Sequence, residues 1–315
     1  MSTFVDPFTD TGFKLLFGRE NQSEEVLREF LNQLFQDDPD LRDIRTVTFL
    51  NNERVRRHRA DKTILYDIFC ETDSGHRFIV EMQREAQANF LQRASYYVAR
   101  AITDQANRQP GDDPWDYDFL PVVGVFLCNF HVRGLQHKLL TRARLTDTDD
   151  GKFVGNHMRY VFLQLPEFKK TQDECTSEFD KLIYVIKNMN TLDNIPFQQY
   201  KNDVFARLDR LGRVAQLSDE DRDQYERDLK WTRDYHAQMK YATERGLAKG
   251  MAEGVAKGMA EGVAKGMAEG VSKGMAEGVA KGMAEGVMKV ALEMKRQGFD
   301  VETISKITGI PADKL

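Results

Sequence analysis

The chain has 315 residues, a formal net charge of −5 and an isoelectric point near 5.8. This acidic balance excludes a protein that coats nucleic acid through overall positive charge, so any contact with DNA must be local. The length allows one sizeable α/β core with accessory elements. The three cysteines are far apart, so neither a zinc cluster nor a disulfide scaffold is indicated, and we expect buried thiols.

The chain opens without a basic region followed by an apolar run, and no segment approaches a membrane span in length. We therefore expect a cytoplasmic protein that does not contact membranes.

The first expected element is a helix over residues 12–35, with apolar residues at helical spacing and a capping candidate at Ser23. A strand around residues 46–50 follows. The Arg-rich run of residues 54–59 either contacts phosphates or is a solvated strand or loop.

Residues 63–82 predict a β-hairpin, because both halves are rich in β-branched and aromatic residues. The link Asp73-Ser74-Gly75 has turn composition, with Gly75 in the left-handed position of a three-residue loop. If Thr72 and His76 close the ladder, the numbers of paired residues sum to 148. Asp67 then lies opposite Glu81.

Gln83 joins the same face, because strand side chains alternate with period two. Two carboxylates a strand apart suit Mg²⁺, which binds one or two carboxylates, waters and substrate phosphate oxygens. Such an ion polarises a phosphate and activates water. The alternative is an ordinary hairpin with polar groups on its wet face. Against it, Leu65, Phe69 and Ile79 are expected on the face that carries the acids.

Several further segments combine with this hairpin into a specific set of motifs. They are Asp6-Pro7-Phe8-Thr9-Asp10-Thr11-Gly12-Phe13-Lys14-Leu15-Leu16-Phe17-Gly18, Asp61-Lys62, Ile79-Val80-Glu81-Met82-Gln83 and the stretch from Arg93 to Tyr97. The set resembles the Rpn family of recombination-promoting nucleases, also described as PD-(D/E)XK family transposases. The resemblance is strong over residues 4–130 and continues beyond them in general layout.

The resemblance implies that Asp67 and Glu81 are metal ligands and that Gln83 stands where the wider superfamily has its catalytic lysine. A neutral amide orients groups by hydrogen bonds only, whereas a lysine also offsets charge on the phosphate. We interpret Gln83 as a tolerated variant, with Lys14 or Lys62 supplying the charge.

Four cations are expected to contact DNA phosphates: Lys14, Arg57, Lys62 and Arg93. For Arg93 the alternative is an exposed or salt-bridged helix residue.

Beyond the hairpin, a helix is expected over residues 88–107 and a nearly continuous apolar strand over 120–128, as in a strand covered on both faces. A further strand is expected over 158–165 and helices over 174–190 and 197–241. The order helix, three strands, helix, strand is that of the nuclease core.

Residues 250–289 repeat Gly-Met-Ala-Glu-Gly-Val-Ala-Lys five times, with departures at Ser272 and Met288. On a helix, each glycine costs about 1 kcal/mol relative to alanine, which exceeds the roughly 0.2–0.5 kcal/mol from a Glu–Lys pair. The glycines recur every four residues, whereas a helix has 3.6 residues per turn, so successive glycines are displaced by about 40° around the helix. In isolation the repeat should be a weak or fraying helix. It is either a small-residue seam for dimer contact or a length-tolerant tether.

Residues 290–297 and 301–308 predict two short helices separated by Gly298, and a third begins at 308–311. The pattern is similar to the start of a helix-turn-helix, but only one lysine remains for a recognition helix. We favour a small protein-docking element.

The sequence thus predicts an α/β protein with a restriction-endonuclease-like mixed sheet flanked by helices and a helical C-terminal extension. Four parts are expected: a nuclease core (1–170), a helical region (171–245), the repeat (246–289) and a helical tail (290–315).

The expected function is Mg²⁺-dependent DNA endonuclease activity in recombination, mobile-element or defence DNA processing, with self-association through the C-terminal region. The rival is a catalytically weak recombination or protein-interaction factor that uses the nuclease fold as a scaffold. Gln83 favours the rival, and the intact Asp67 and Glu81 oppose it.

Overall fold

The computed structural model describes residues 2–50, 53–54, 64–106, 119–197 and 203–315. The chain divides into two compact units, Met1–Asp234 and Tyr235–Leu315. The predicted four-part division of the chain stays a prediction.

The first unit is built from helices and strands that alternate along the chain. Its helices are α1 (Asp10–Phe17), α2 (Glu24–Leu34), α3 (Phe90–Ala106), α4 (Glu178–Asn188) and α5 (Val204–Gly212), and α6 (Asp219–Arg296) begins in it. Its strands are β1 (Val47–Phe49), β2 (Glu53–Arg54), β3 (Ile64–Leu65), β4 (Ile68–Thr72), β5 (Arg77–Gln83), β6 (Val122–Cys128), β7 (Leu140–Arg144) and β8 (Met158–Gln164).

The main sheet is mixed, with the strand order β1-β4-β5-β6-β8-β7. The strands β5, β6 and β8 run parallel to one another, and the remaining pairs are antiparallel. The helix α3 connects β5 to the parallel β6, as parallel pairing requires a crossover. This mixed sheet flanked by helices confirms the predicted fold class.

The hairpin of β4 and β5 has the predicted register. Ile68 pairs with Val80 and Cys70 with Phe78, so paired numbers sum to 148. The Thr72 N–H donates to the His76 carbonyl (3.0 Å) to close the loop. Gly75 has φ of +76°, the left-handed conformation that the loop requires and that glycine adopts without steric cost.

Apolar side chains cover both faces of this sheet. On one face, Phe78, Val80 and Val125 join a large core with α1, α2, α4 and α5. On the other face, Phe69 and Ile79 pack with residues of α3. The alternation along β5 therefore places Glu81 and Gln83 on the face that α3 covers. Cys70, Cys128 and Cys175 are buried free thiols, as expected.

Several predicted elements need correction. The helix expected over 12–35 is two helices, because Gly18 ends α1 and Ser23 begins α2. The strand expected over 63–70 is two strands, β3 and β4. Only β4 pairs with β5, whereas β3 pairs with β2 in a separate two-stranded sheet. Leu65 is therefore 55% exposed, and its expected place beside the acids is wrong.

Two further differences concern residues 197–241 and the strand β7. Within 197–241, the described residues form α5, a 3-10 turn (Val214–Gln216) and the start of α6. The prediction of a single helix over this range is therefore wrong. The edge strand β7 was not predicted, because its Leu-Thr-Arg-Ala-Arg sequence has little apolar character.

The second unit is helical. It contains most of α6, then α7 (Val301–Thr308) and a 3-10 turn (Ala312–Lys314). The separate short helix predicted over 290–297 is wrong, because these residues are the end of the continuous α6. The repeat is continuous helix, with Met and Val side chains exposed from Met251 (65%) to Met283 (68%). Asp300 caps α7, accepting from the Thr303 N–H (2.9 Å), and Gly309 ends it at φ +74°. Among the described residues, no helix combines the length and apolar character that crossing a membrane requires.

Candidate active site

The predicted pair of acids converges at the end of the β4–β5 hairpin. The backbone N–H of Asp67 donates to Oε1 of Glu81 (3.1 Å). The backbone N–H of Met82 donates to Oδ2 of Asp67 (2.9 Å). Asp67 lies immediately before β4 and Met82 lies in β5, so each carboxylate is held by a backbone N–H from the opposite side of the hairpin. The hairpin register therefore positions both acids.

Burial makes this pair electrostatically unfavourable when both acids are ionised. Glu81 is 2% exposed. Desolvation raises the pKa of Asp67 to about 6, and the hydrogen bond from Met82 opposes this rise. Desolvation, and then the charge of Asp67, raise the pKa of Glu81 well above its usual range. A buried acid and a partly buried one, both of which resist ionisation, are the arrangement that a bound cation relieves.

Gln83 links the acids to a cation on α3. Its Nε2 donates to Oε2 of Glu81 (3.3 Å), and its Oε1 accepts from Nη2 of Arg93 (2.5 Å). Arg93 also donates to Gln87 and lies over the rings of Phe90 (5.7 Å to the centroid) and Tyr97 (5.4 Å). Its charge lowers the pKa of both acids. The amide therefore holds a guanidinium beside the carboxylates.

Helix α1 directs two further charges toward the acids. Asp10 lies in its first turn, and Lys14 one turn later forms an ion pair with it (2.8 Å). Asp10 raises the pKa of Asp67, whereas Lys14 lowers the pKa of both Asp67 and Glu81. Asp10 was not among the predicted site residues, although its position one helical turn before Lys14 is visible in the sequence.

The N-terminal motif fixes α1 at this position. Oγ1 of Thr9 accepts from the Gly12 N–H (3.0 Å) and caps the helix. A Cβ on Gly12 would lie 2.2 Å from the carbonyl oxygen of Asp6, so only glycine fits. Asp6 itself forms an ion pair with Arg84 (2.9 Å), the residue after Gln83. The motif thereby connects α1 to the end of β5.

The structure brings together Asp67, Glu81, Gln83 and Arg93, and the electrostatic influence of Lys14 reaches the two acids. Arg57 and Lys62, also predicted to contact phosphate, lie outside the described residues. Tyr97 was not among the predicted site residues, although the motif from Arg93 to Tyr97 includes it. Its pKa is raised, first by burial and then by the charge of Glu81.

The donor set fits a hard divalent cation. Both acids offer oxygen atoms, the ligands that Mg²⁺ prefers. Among the described residues, the hydrogen bonds of the Asp67 carboxylate engage Oδ2, which leaves Oδ1 for a cation. A cation here would be held by Asp67 and Glu81.

Comparison with protein families identifies the family to which the chain belongs. The family model described as PD-(D/E)XK nuclease family transposase matches residues 7–242, about three quarters of the chain. Neither the curated proteins nor the solved structures give a significant match. The matched range contains the whole acid hairpin and the N-terminal motif except for its first residue, Asp6. The chain therefore belongs to the PD-(D/E)XK nuclease family transposases.

Proposed function

We propose that the protein is a Mg²⁺-dependent DNA endonuclease in which Asp67 and Glu81 hold the metal ion. The observation that carries this proposal is the pair of facing carboxylates, buried Glu81 and partly buried Asp67, each of which accepts a backbone N–H from the opposite side of the hairpin. The family match supports a nuclease in general. The choice of cation, the DNA substrate and endonucleolytic cleavage belong to the proposal.

The proposed reaction is hydrolysis of a phosphodiester by water. A bound cation would supply Lewis-acid polarisation of the phosphate and would lower the pKa of the attacking water. Water attacks phosphorus and loses a proton to solvent as the bond to the leaving oxygen breaks. The leaving oxygen takes up a proton from solvent and departs as a hydroxyl, and no covalent intermediate with the protein forms. Asp67 and Glu81 would hold the cation in their ionised forms, while the backbone hydrogen bonds keep their oxygens in place.

Arg93 is the residue that we propose takes over the charge that a catalytic lysine supplies elsewhere. Gln83 cannot carry charge, but its amide oxygen accepts from the Arg93 guanidinium at 2.5 Å. A guanidinium presents planar donors that match phosphate oxygens. Gln83 then acts as a positioning residue for Arg93 as well as a donor to Glu81.

Contacts to the DNA backbone are proposed for Lys14 and Arg93, whose charges act on the acid pair. Arg57 and Lys62 stay predictions from the sequence. With a net charge of −5, binding would depend on such local cations and would weaken with salt. A role in recombination, mobile-element or defence DNA processing is proposed on the family match alone.

Plasmid nicking tests the proposal. The parent should nick supercoiled DNA in Mg²⁺ and not in EDTA, and Asp67→Ala and Glu81→Ala should each abolish nicking while the fold is retained. Glu71→Ala is a matched control, because Glu71 lies on the same hairpin but pairs with Arg77 (2.8 Å). Nicking by either acid variant at the parent rate would refute the site assignment.

The rival function predicts a different result. A catalytically weak recombination or interaction factor would bind DNA without metal-dependent nicking, in the parent as in the variants.

We also propose that the C-terminal region mediates self-association. The support is a row of apolar side chains at four-residue spacing on α6, all of them exposed from Met251 to Met283. Exposed apolar surface of this extent is typical of protein contacts. Light scattering on chains with five, three and one repeat tests this. A stepwise loss of dimer with each deletion would support a helical seam that mediates dimer contact, whereas an unchanged mass would leave only the interpretation of the repeat as a tether.

The cytoplasmic location is likewise a proposal.

A further inference from the structure

A second cluster of metal-competent side chains lies outside the acid hairpin. His131, His137 and Glu167 each present a ligand atom, and these atoms all lie within 4.8 Å of one another. The imidazole rings of His131 and His137 stack with their centroids 4.1 Å apart. Nε2 of His131 lies 2.8 Å from Oε1 of Glu167. None of these residues belongs to the proposed nuclease site.

The sheet topology explains why residues so distant in sequence meet. His131 and His137 follow β6, and Glu167 ends the 3-10 turn (Leu165–Glu167) that follows β8. The strands β6 and β8 are parallel neighbours, with Cys128 opposite Gln164. Their carboxyl ends therefore lie side by side, and both following segments leave the sheet at the same edge.

A buried glutamine fixes the loop that carries the histidines. Gln164 is fully buried, and its Oε1 accepts from the Val132 N–H (2.8 Å). Its Nε2 donates to the carbonyls of Gln136 (2.8 Å) and Lys138 (3.0 Å). One side chain thus binds the loop backbone next to each histidine. This is the outer support that metal ligands require, because positioned ligands lose less freedom on binding.

We propose that His131, His137 and Glu167 form a Zn²⁺ site that is separate from the carboxylate site. Two imidazole nitrogens and one carboxylate oxygen are a donor set of intermediate softness, which suits zinc. Mg²⁺ prefers oxygen ligands alone. Three protein ligands leave a fourth position for water.

The distances permit this coordination. Zinc bonds of about 2.0–2.2 Å to nitrogen and oxygen span donor separations of roughly 3.4 Å in a tetrahedron. The His131–Glu167 separation of 2.8 Å is already shorter than this. The other separations are at most 4.8 Å, and rotation of the two exposed histidine side chains would close them. Lys169 contacts the other oxygen of Glu167, Oε2, at 3.6 Å, so Oε1 remains directed at His131.

Bound zinc would join the loop after β6 to the turn after β8. Val132 of this loop packs in a cluster with Phe90 and Phe126. Phe90 also lies under Arg93, the cation of the proposed nuclease site. The predicted effect of zinc is therefore a stiffer loop and a higher melting temperature for the full chain.

Zinc binding to the tag-free, full-length protein tests the proposal. Calorimetric titration and metal analysis should give one Zn²⁺ per chain that persists in Asp67→Ala. His131→Ala and His137→Ala should each weaken binding by about 100-fold or more, since loss of even an outer partner costs roughly 10–100-fold. Glu167→Gln should also weaken binding. Zinc should raise the melting temperature of the parent but not of these variants.

His157→Ala is the matched control, because His157 is exposed and lies just before the opposite end of β8. It should bind zinc as the parent does. Three results would overturn the proposal: no zinc binding by the parent, unchanged binding in His131→Ala and His137→Ala, or loss of binding in Asp67→Ala alone. The last result would place the zinc on the acid pair.

Discussion

Replacement of Asp67 by asparagine should stabilise the metal-free protein while it abolishes cleavage. The parent must bury an ionised carboxylate beside Glu81 at neutral pH. In the parent, the Met82 N–H donates to Oδ2 of Asp67. Asparagine removes the charge, but its side-chain oxygen can still accept this hydrogen bond. The variant thus separates the electrostatic cost of the site from the hydrogen bonding that holds the hairpin.

The expected gain follows from the pKa of Asp67, which rises from 3.8 to about 6 on folding. A difference of about two pKa units at 1.36 kcal/mol each corresponds to about 3 kcal/mol. Partial access of solvent reduces this to about 2 kcal/mol. Because the folded state holds the proton more tightly than the unfolded state, the parent loses stability as the pH rises from about 4 through 6. The gain should therefore be full at pH 8 and small at pH 4.

Urea unfolding of the parent and Asp67→Asn in EDTA, at pH 8 and at pH 4, measures this difference. Glu71→Gln serves as a control that removes a charge from the same hairpin outside the acid pair. Equal stabilities of Asp67→Asn and the parent at pH 8, or the same gain at both pH values, would refute the electrostatic reasoning. Added Mg²⁺ should stabilise the parent and not the variant.

Three further outcomes are expected. Gly12→Ala should destabilise the first unit by about 3 kcal/mol, because the new Cβ would lie 2.2 Å from the Asp6 carbonyl oxygen. Urea unfolding measures this loss, and the stability of the parent in this variant would contradict the close packing. Gln83→Lys should keep or raise the nicking rate, because it restores a charge near the phosphate, and loss of both folding and metal binding would make Gln83 structural. Deletion of whole octads between residues 250 and 281 should leave nicking intact, and a collapse of nicking would place the extension at the active site or on the DNA.

The acid hairpin could be predicted from the sequence because local rules determine it. Turn composition placed Gly75, and the register then placed Asp67 opposite Glu81. The same rules could not show that β3 leaves this ladder to pair with β2, because strand propensity does not reveal the pairing partner. The edge strand β7 lacked the apolar pattern that identifies buried strands.

Tertiary contacts determine the parts that the sequence did not reveal. Asp10 acts on Asp67 only because the N-terminal motif holds α1 beside β5. His131 and Glu167 meet because β6 and β8 are neighbours, which depends on strand order and not on spacing along the chain. The cysteines gave no indication of zinc, and the histidines are too far from Glu167 in sequence to form a recognisable motif.

The most direct test of the central claim is plasmid cleavage by Glu81→Gln beside the parent. Glutamine keeps the size of the side chain and an oxygen that can accept from the Asp67 N–H, so the hairpin should remain folded. Only the charge that binds the cation is lost. We predict nicking by the parent in Mg²⁺, none in EDTA, and none by Glu81→Gln in either. Mg²⁺-dependent nicking by Glu81→Gln at the parent rate would contradict the assignment of the acid pair as the metal site.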